Sequence, residues 1–109
     1  MSPIQEIDAN TLIEWLQEDR EFRLIDVRSE QEMAQGMIPK GEALPLHTIP
    51  VRADELASGE EVVFYCRTGA RSAQACMYMA QRGSASVYNL RGGIVDWARK
   101  GLPTVNAVA

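Results

Sequence analysis

Apolar residues follow two rhythms along this chain, and the rhythms alternate. Short runs rich in β-branched and aromatic residues read as strands, and between them apolar positions recur every three or four residues, as on one face of a helix. Residues 4–7 form a first short strand, after which Asn10 or Thr11 is placed to cap a helix with Leu12, Ile13, Trp15 and Leu16 on its apolar face. Leu24-Ile25-Asp26-Val27 is a second strand. Ser29, followed three residues later by Glu32, has the form of a capping box, so a short helix follows and stops near Gly36. Ala43-Leu44-Pro45-Leu46 reads as a strand. Thr48 would then cap a helix with Pro50 in its first turn, Leu56 facing inward and Gly59 at its end. Val62-Val63-Phe64-Tyr65 is continuous and apolar, as expected of a strand covered on both faces, and belongs at the centre of a parallel sheet. From Ser72 to Arg82 a helix puts Ala73, Cys76, Met77 and Ala80 on one stripe, and Gly83 terminates it. Ser86-Val87-Tyr88 is the last strand. Gly92-Gly93 then turns the chain into a helix carrying Ile94, Trp97 and Ala98, closed by Gly101 and Pro103. The alternation predicts an α/β fold.

Composition narrows the partners. A chain of 109 residues, 46% apolar and 24% charged, fits one globular domain spanning 1–109. Its net charge of -4 argues against nucleic acid, which demands clustered Lys and Arg. No apolar run approaches membrane-spanning length, and Met1 to Glu6 lacks the basic and apolar regions of a signal peptide, so a cytoplasmic protein without membrane association is expected. Two cysteines and a single His47 cannot complete a four-ligand zinc site, and neither metal nor cofactor is expected.

The chemistry gathers in Cys66-Arg67-Thr68-Gly69-Ala70-Arg71-Ser72. In open parallel sheets ligands bind beyond the carboxyl ends of the strands, and Cys66 follows the strongest strand and precedes a helix. Gly69 permits a tight loop, and a loop curling into a helix start turns its N–H groups toward one centre. Those amides, the helix N-terminus with roughly half a positive charge, and the cations Arg67 and Arg71 all favour a thiolate. An isolated cysteine at a strand end is usually a small buried hydrophobe, but two arginines around a glycine turn suit an anion better than a core. Cys76 falls on the apolar stripe of its helix and reads as core, with a resolving thiol as the alternative. His47 reads as a surface or capping residue. Trp15, Trp97, Met33, Met37, Met77 and Met79 read as packing.

Three stretches in order then resemble the rhodanese family over nearly the whole chain. The first is Leu24-Ile25-Asp26-Val27-Arg28 with Glu32, Gly36, Ile38, Pro39 and Pro45. The second is the Cys66 to Arg71 loop, and the third is Gly92-Gly93, Trp97 and Gly101-Leu102-Pro103. Met37, Lys40 and Gly41 depart from the family's usual His and Gly-Ala. The resemblance implies a rhodanese-like open, mainly parallel sheet of about five strands with helices on both faces. It also implies a thiosulfate sulfurtransferase in which Cys66 is the catalytic nucleophile and Arg67, Thr68, Gly69, Ala70, Arg71 and Ser72 bind the substrate. Asp26 and Arg28 would buttress strand and loop through buried polar contacts. The implied partners are a small anionic sulfur donor and a thiol acceptor such as thioredoxin or another thiol protein. Related phosphatases and arsenate reductases use C-x5-R, whereas the spacing here is C-x4-R, a smaller cradle. Inert rhodanese-like binding modules usually lack the cysteine, which this chain retains.

Overall fold

The computed structural model describes residues 4–84 and 86–106. In chain order the elements are β1 (Gln5–Ile7), α1 (Ala9–Gln17), β2 (Arg23–Asp26), α2 (Glu30–Met33) and β3 (Gly41–Ala43). A single 3-10 turn (Leu46–Thr48) follows, then α3 (Ala53–Leu56), β4 (Val62–Tyr65), α4 (Ala70–Gln81), β5 (Val87–Leu90) and α5 (Gly93–Arg99). The five strands form one parallel sheet in the order β1-β5-β4-β2-β3, so β4 is central as its unbroken apolar run predicts. The open α/β fold is the expected one.

Alternation along β4 divides the core into two layers, because successive side chains leave a strand on opposite faces. Val62 and Phe64 join Ile25, Leu56, Cys76 and Met79 under α3 and α4. Val63 and Tyr65 join Leu12, Trp15, Leu24, Leu90 and Trp97 under α1 and α5. Burial on both faces thus explains why β4 shows no polar alternation. Among the described residues, no helix is long and apolar enough to cross a membrane.

Four local expectations are corrected. Helix α1 is capped by Asp8, whose carboxylate accepts from Thr11 N at 2.8 Å; Asn10 and Thr11 lie inside the helix. The third strand stops at Ala43, because Pro45 has no N–H for the ladder, although Leu44 N and Leu46 N still donate to Asp26 O and Val27 O. Thr48 turns its hydroxyl back to Pro45 O at 2.6 Å, and α3 begins only at Ala53. Helix α4 starts at Ala70 and buries Ser72, Ala75, Cys76 and Met79. That stripe is offset by one residue from the expected Ala73, Cys76, Met77 and Ala80, leaving Met77 50% exposed. The polar Ser72 disguised the true face, and its presence in the core is the first sign of the site. Met33, Met37 and Met79 are buried, as are Trp15 and Trp97.

Candidate active site

Immediately after β4, at the carboxyl edge of the sheet, Cys66 opens a loop that closes at Gly69, the cap of α4, with φ +116. The thiol is buried, 1% exposed. Its Sγ accepts from Gly69 N at 3.1 Å, from Ser72 N at 3.5 Å and from Ser72 Oγ at 3.4 Å. Of the amides between Arg67 and Ser72, these two carry the hydrogen bonds, with the amide of Thr68 adding to them. Arg67, Thr68 and Ala70 are exposed at the rim.

The loop is held from behind through three of its carbonyls. Ile94 N donates to Cys66 O at 3.0 Å and Val95 N to Arg67 O at 3.1 Å, so the unpaired N–H groups at the start of α5 find their acceptors in the loop. Asn89 Nδ2 holds Gly69 O at 3.2 Å. The approach is so close that a Cβ at Gly93 would sit 2.3 Å from Arg67 O, and Gly93 itself has φ +59. The Gly92-Gly93 turn is therefore the backstop of the loop.

Burial pushes the Cys66 thiol up, but the Ser72 hydroxyl and the amides of Ser72, Gly69 and Thr68 outweigh it and hold the thiol below its ordinary value. Cys76, one helical turn after Ser72, has no such donors among the described residues. Burial, helped by the charge of Glu6, pushes it up to about 12, and it is a core residue.

The arginines are deployed differently from one another. Arg71 makes a fork with Glu32, at 2.7 and 2.8 Å, and Glu32 is itself fixed by the capping box it forms with Ser29. Arg71 and Ser29 hold the Glu32 carboxyl at about 2. Arg67 is exposed and makes no ion pair or side-chain hydrogen bond among the described residues. Arg28 is buried on Asp26, which accepts from its Nη2 at 2.8 Å, its Nε at 3.0 Å and its backbone N at 3.0 Å. The same Nη2 donates to Gly36 O at 2.7 Å. This pair ties the end of β2 to the loop after α2. His47 is exposed on the wall of an open groove of about 600 Å³ beside Arg71, whose floor is Val27, Pro45 and Leu46.

Sequence reasoning missed Asn89, Glu6 and the Glu32 to Arg71 pair, and took Gly93 for a mere turn. Asn89 left a signal, a lone amide between Tyr88 and Leu90 in a strand otherwise apolar. It is 2% exposed and bonds Ser72 Oγ, Gly69 O and Glu6.

Comparison with known families matches residues 8–100 to the Rhodanese-like domain. A protein of Allochromatium vinosum named Sulfurtransferase is 50% identical over 102 residues, covering 94% of this chain and 95% of that one. Among solved structures, a rhodanese-related protein from Thermoplasma volcanium superposes with a TM-score of 0.82 at 27% identity, over 93% of this chain and 97% of that one. A rhodanese-like domain protein from Staphylococcus aureus gives 0.82 at 29% identity, over 94% and 100%.

Proposed function

The chain belongs to the rhodanese-like domain family, with a sulfurtransferase among its relatives, and from that premise we propose that it carries sulfane sulfur as a persulfide on Cys66. The observation that carries the reading is the ring of donors around one sulfur atom. Gly69 N, Ser72 N and Ser72 Oγ all reach Sγ, an arrangement suited to an anion and wasted on an inert core thiol.

In the first half-reaction the Cys66 thiolate attacks the outer sulfur of thiosulfate. The S–S bond of the donor breaks, sulfite departs with its electron pair, and a Cys66 persulfide remains. In the second, a thiolate or cyanide attacks the terminal sulfur and Cys66 leaves as thiolate, so no external oxidant or reductant is consumed. The loop amides hold the charge on sulfur in both. Arg67, the loop cation with no carboxylate partner among the described residues, meets the anionic donor, and Arg71 contributes its charge only as half of a pair with Glu32. In the cytoplasm, thioredoxin or another thiol protein would serve as acceptor.

Intact-protein mass spectrometry before and after thiosulfate, then after cyanide, tests the proposal on the wild type and Cys66→Ser. The expected result is one added sulfur atom, removed by cyanide and absent from the variant. An addition that survives in Cys66→Ser would overturn the assignment. A wild type that takes no sulfur from thiosulfate or from an organic persulfide would favour a binding module.

A further inference from the structure

Ser72 is fully buried, and its hydroxyl has two acceptors within reach but a single proton. Asn89 Oδ1 lies 2.5 Å from Ser72 Oγ, and Cys66 Sγ lies 3.4 Å from it. The Asn89 amide cannot turn round to relieve the conflict. Its Nδ2 donates to Gly69 O at 3.2 Å and to a Glu6 carboxylate oxygen at 3.1 Å, two groups that only accept. A flipped amide would set its oxygen against both.

We propose that Asn89 is a positioning residue for the nucleophile: it claims the Ser72 hydroxyl proton and so restrains the ionisation of Cys66. In the thiol form the chain of hydrogen bonds is complete. Cys66 S–H donates to Ser72 Oγ, Ser72 O–H to Asn89 Oδ1, and the Asn89 amide to Gly69 O and Glu6. When Cys66 loses its proton to solvent, the Ser72 hydroxyl must turn toward the sulfur, and Asn89 Oδ1 is left buried without its donor. That orphaned acceptor weighs on the thiolate alone. The backbone amides of Gly69 and Ser72 pull toward the anion, and Asn89 acts through Ser72 as the counterweight.

The charged and titratable groups around the loop are Arg67 within it, Arg71 on α4 with Glu32 from α2, Asp26 ending β2 with Arg28 beyond it, Tyr65 closing β4, Cys76 on α4 and Glu6 on β1. Substituting Asn89 takes a hydrogen-bond donor from Glu6 and removes no charge from any of them. The proposal draws its meaning from Cys66 as the nucleophile, but its test reads the thiol itself and needs no sulfur donor.

The test is the pH dependence of alkylation at Cys66 by iodoacetamide, followed by mass spectrometry, in wild type, Asn89→Ala, Ser72→Ala and the double variant. Asn89→Ala is expected to move the midpoint down by roughly one pH unit, the scale of one hydrogen bond. In the Ser72→Ala background the same substitution is expected to move the midpoint far less, because the hydroxyl through which Asn89 acts is gone and only its hold on Gly69 O is lost. Asn89→Leu keeps the branched outline of the side chain without its amide and replaces Asn89→Ala if circular dichroism finds the latter unfolded. An unchanged or higher midpoint in the folded Asn89 variant overturns the proposal. So does an equal shift with and without the Ser72 hydroxyl, which would mean that Asn89 acts on the loop as a whole.

Discussion

A buried carboxylate and guanidinium lock the end of β2, and their energetics set the first prediction. Asp26 is wholly buried and receives Arg28 through backbone and side chain, so removing the carboxylate leaves a cation in the core. Asp26→Ala should cost about 3–5 kcal/mol in denaturant unfolding, whereas an exposed pair such as Arg20 with Glu61 should cost under about 1 kcal/mol. The second prediction concerns Arg71. Its partner Glu32 neutralises a charge that an anionic donor would otherwise feel, and both side chains are partly open to solvent, 37% and 29% exposed. Glu32→Gln keeps an acceptor for the capping box but drops the charge, and should lower KM for thiosulfate by about two- to fivefold with little change in kcat, the scale of a screened surface pair. A raised KM would show that Arg71 needs Glu32 to hold it in place. These residues were unequally legible. Asp26 and Arg28 stand two apart on one strand end, and Cys66 to Ser72 are contiguous, so local sequence sufficed. Glu32 was readable as a cap of α2, but its pairing with a residue 39 positions away depends on the sheet order.

At the scale of elements, the loop and α5 form a unit. The N-terminal amides of α5 bind the carbonyls of Cys66 and Arg67, and Gly93 makes the contact possible through both its conformation and its missing side chain. Gly93→Ala must displace backbone, since the added carbon would overlap Arg67 O. The third prediction is that it lowers sulfur uptake from thiosulfate at least tenfold and raises the alkylation midpoint of Cys66, while Gly83→Ala, where the added carbon meets nothing, leaves both near wild type. Gly83 also sits at positive φ, so some loss of thermal stability is expected there without the chemical effect. Most strands and helices could be read from the local pattern because it repeats within a few residues, β3 being the strand that Pro45 misplaced. The role of Gly93, the second glycine of its pair, could not, because it arises only when β5 is laid beside β4 and α5 is brought against the loop. The one-residue error in the face of α4 has the same origin: Ser72 was polar, and nothing local indicated that it turns inward to meet Asn89.

For the whole molecule, the two cysteines predict opposite responses to pH. Cys76 stays protonated in the fold up to about 12, while in the unfolded chain it ionises near about 8.5. Above that lower value the unfolded state holds fewer protons than the folded one, so stability falls as pH rises through the window between the two. Cys66 works the other way: its folded value is depressed, so its contribution is present above the unfolded value and is lost as pH falls through the folded one. The fourth prediction is that denaturant unfolding between pH 8.5 and 10 loses about 2 kcal/mol through Cys76, and that Cys76→Ala flattens this slope even though it lowers stability at neutral pH by leaving a cavity. A slope unchanged by the substitution would place the alkaline sensitivity elsewhere, with buried Tyr65 the first suspect.

The chain order has a consequence for the birth of the protein. Cys66 leaves the ribosome ahead of Ile94 and Val95, whose amides hold its loop from behind. A chain that stops short of α5 therefore carries the cysteine and its loop donors without the backing that fixes them. Only once α5 has been made can the loop be held as it is in the fold, so the backing arrives after the cysteine it stands behind.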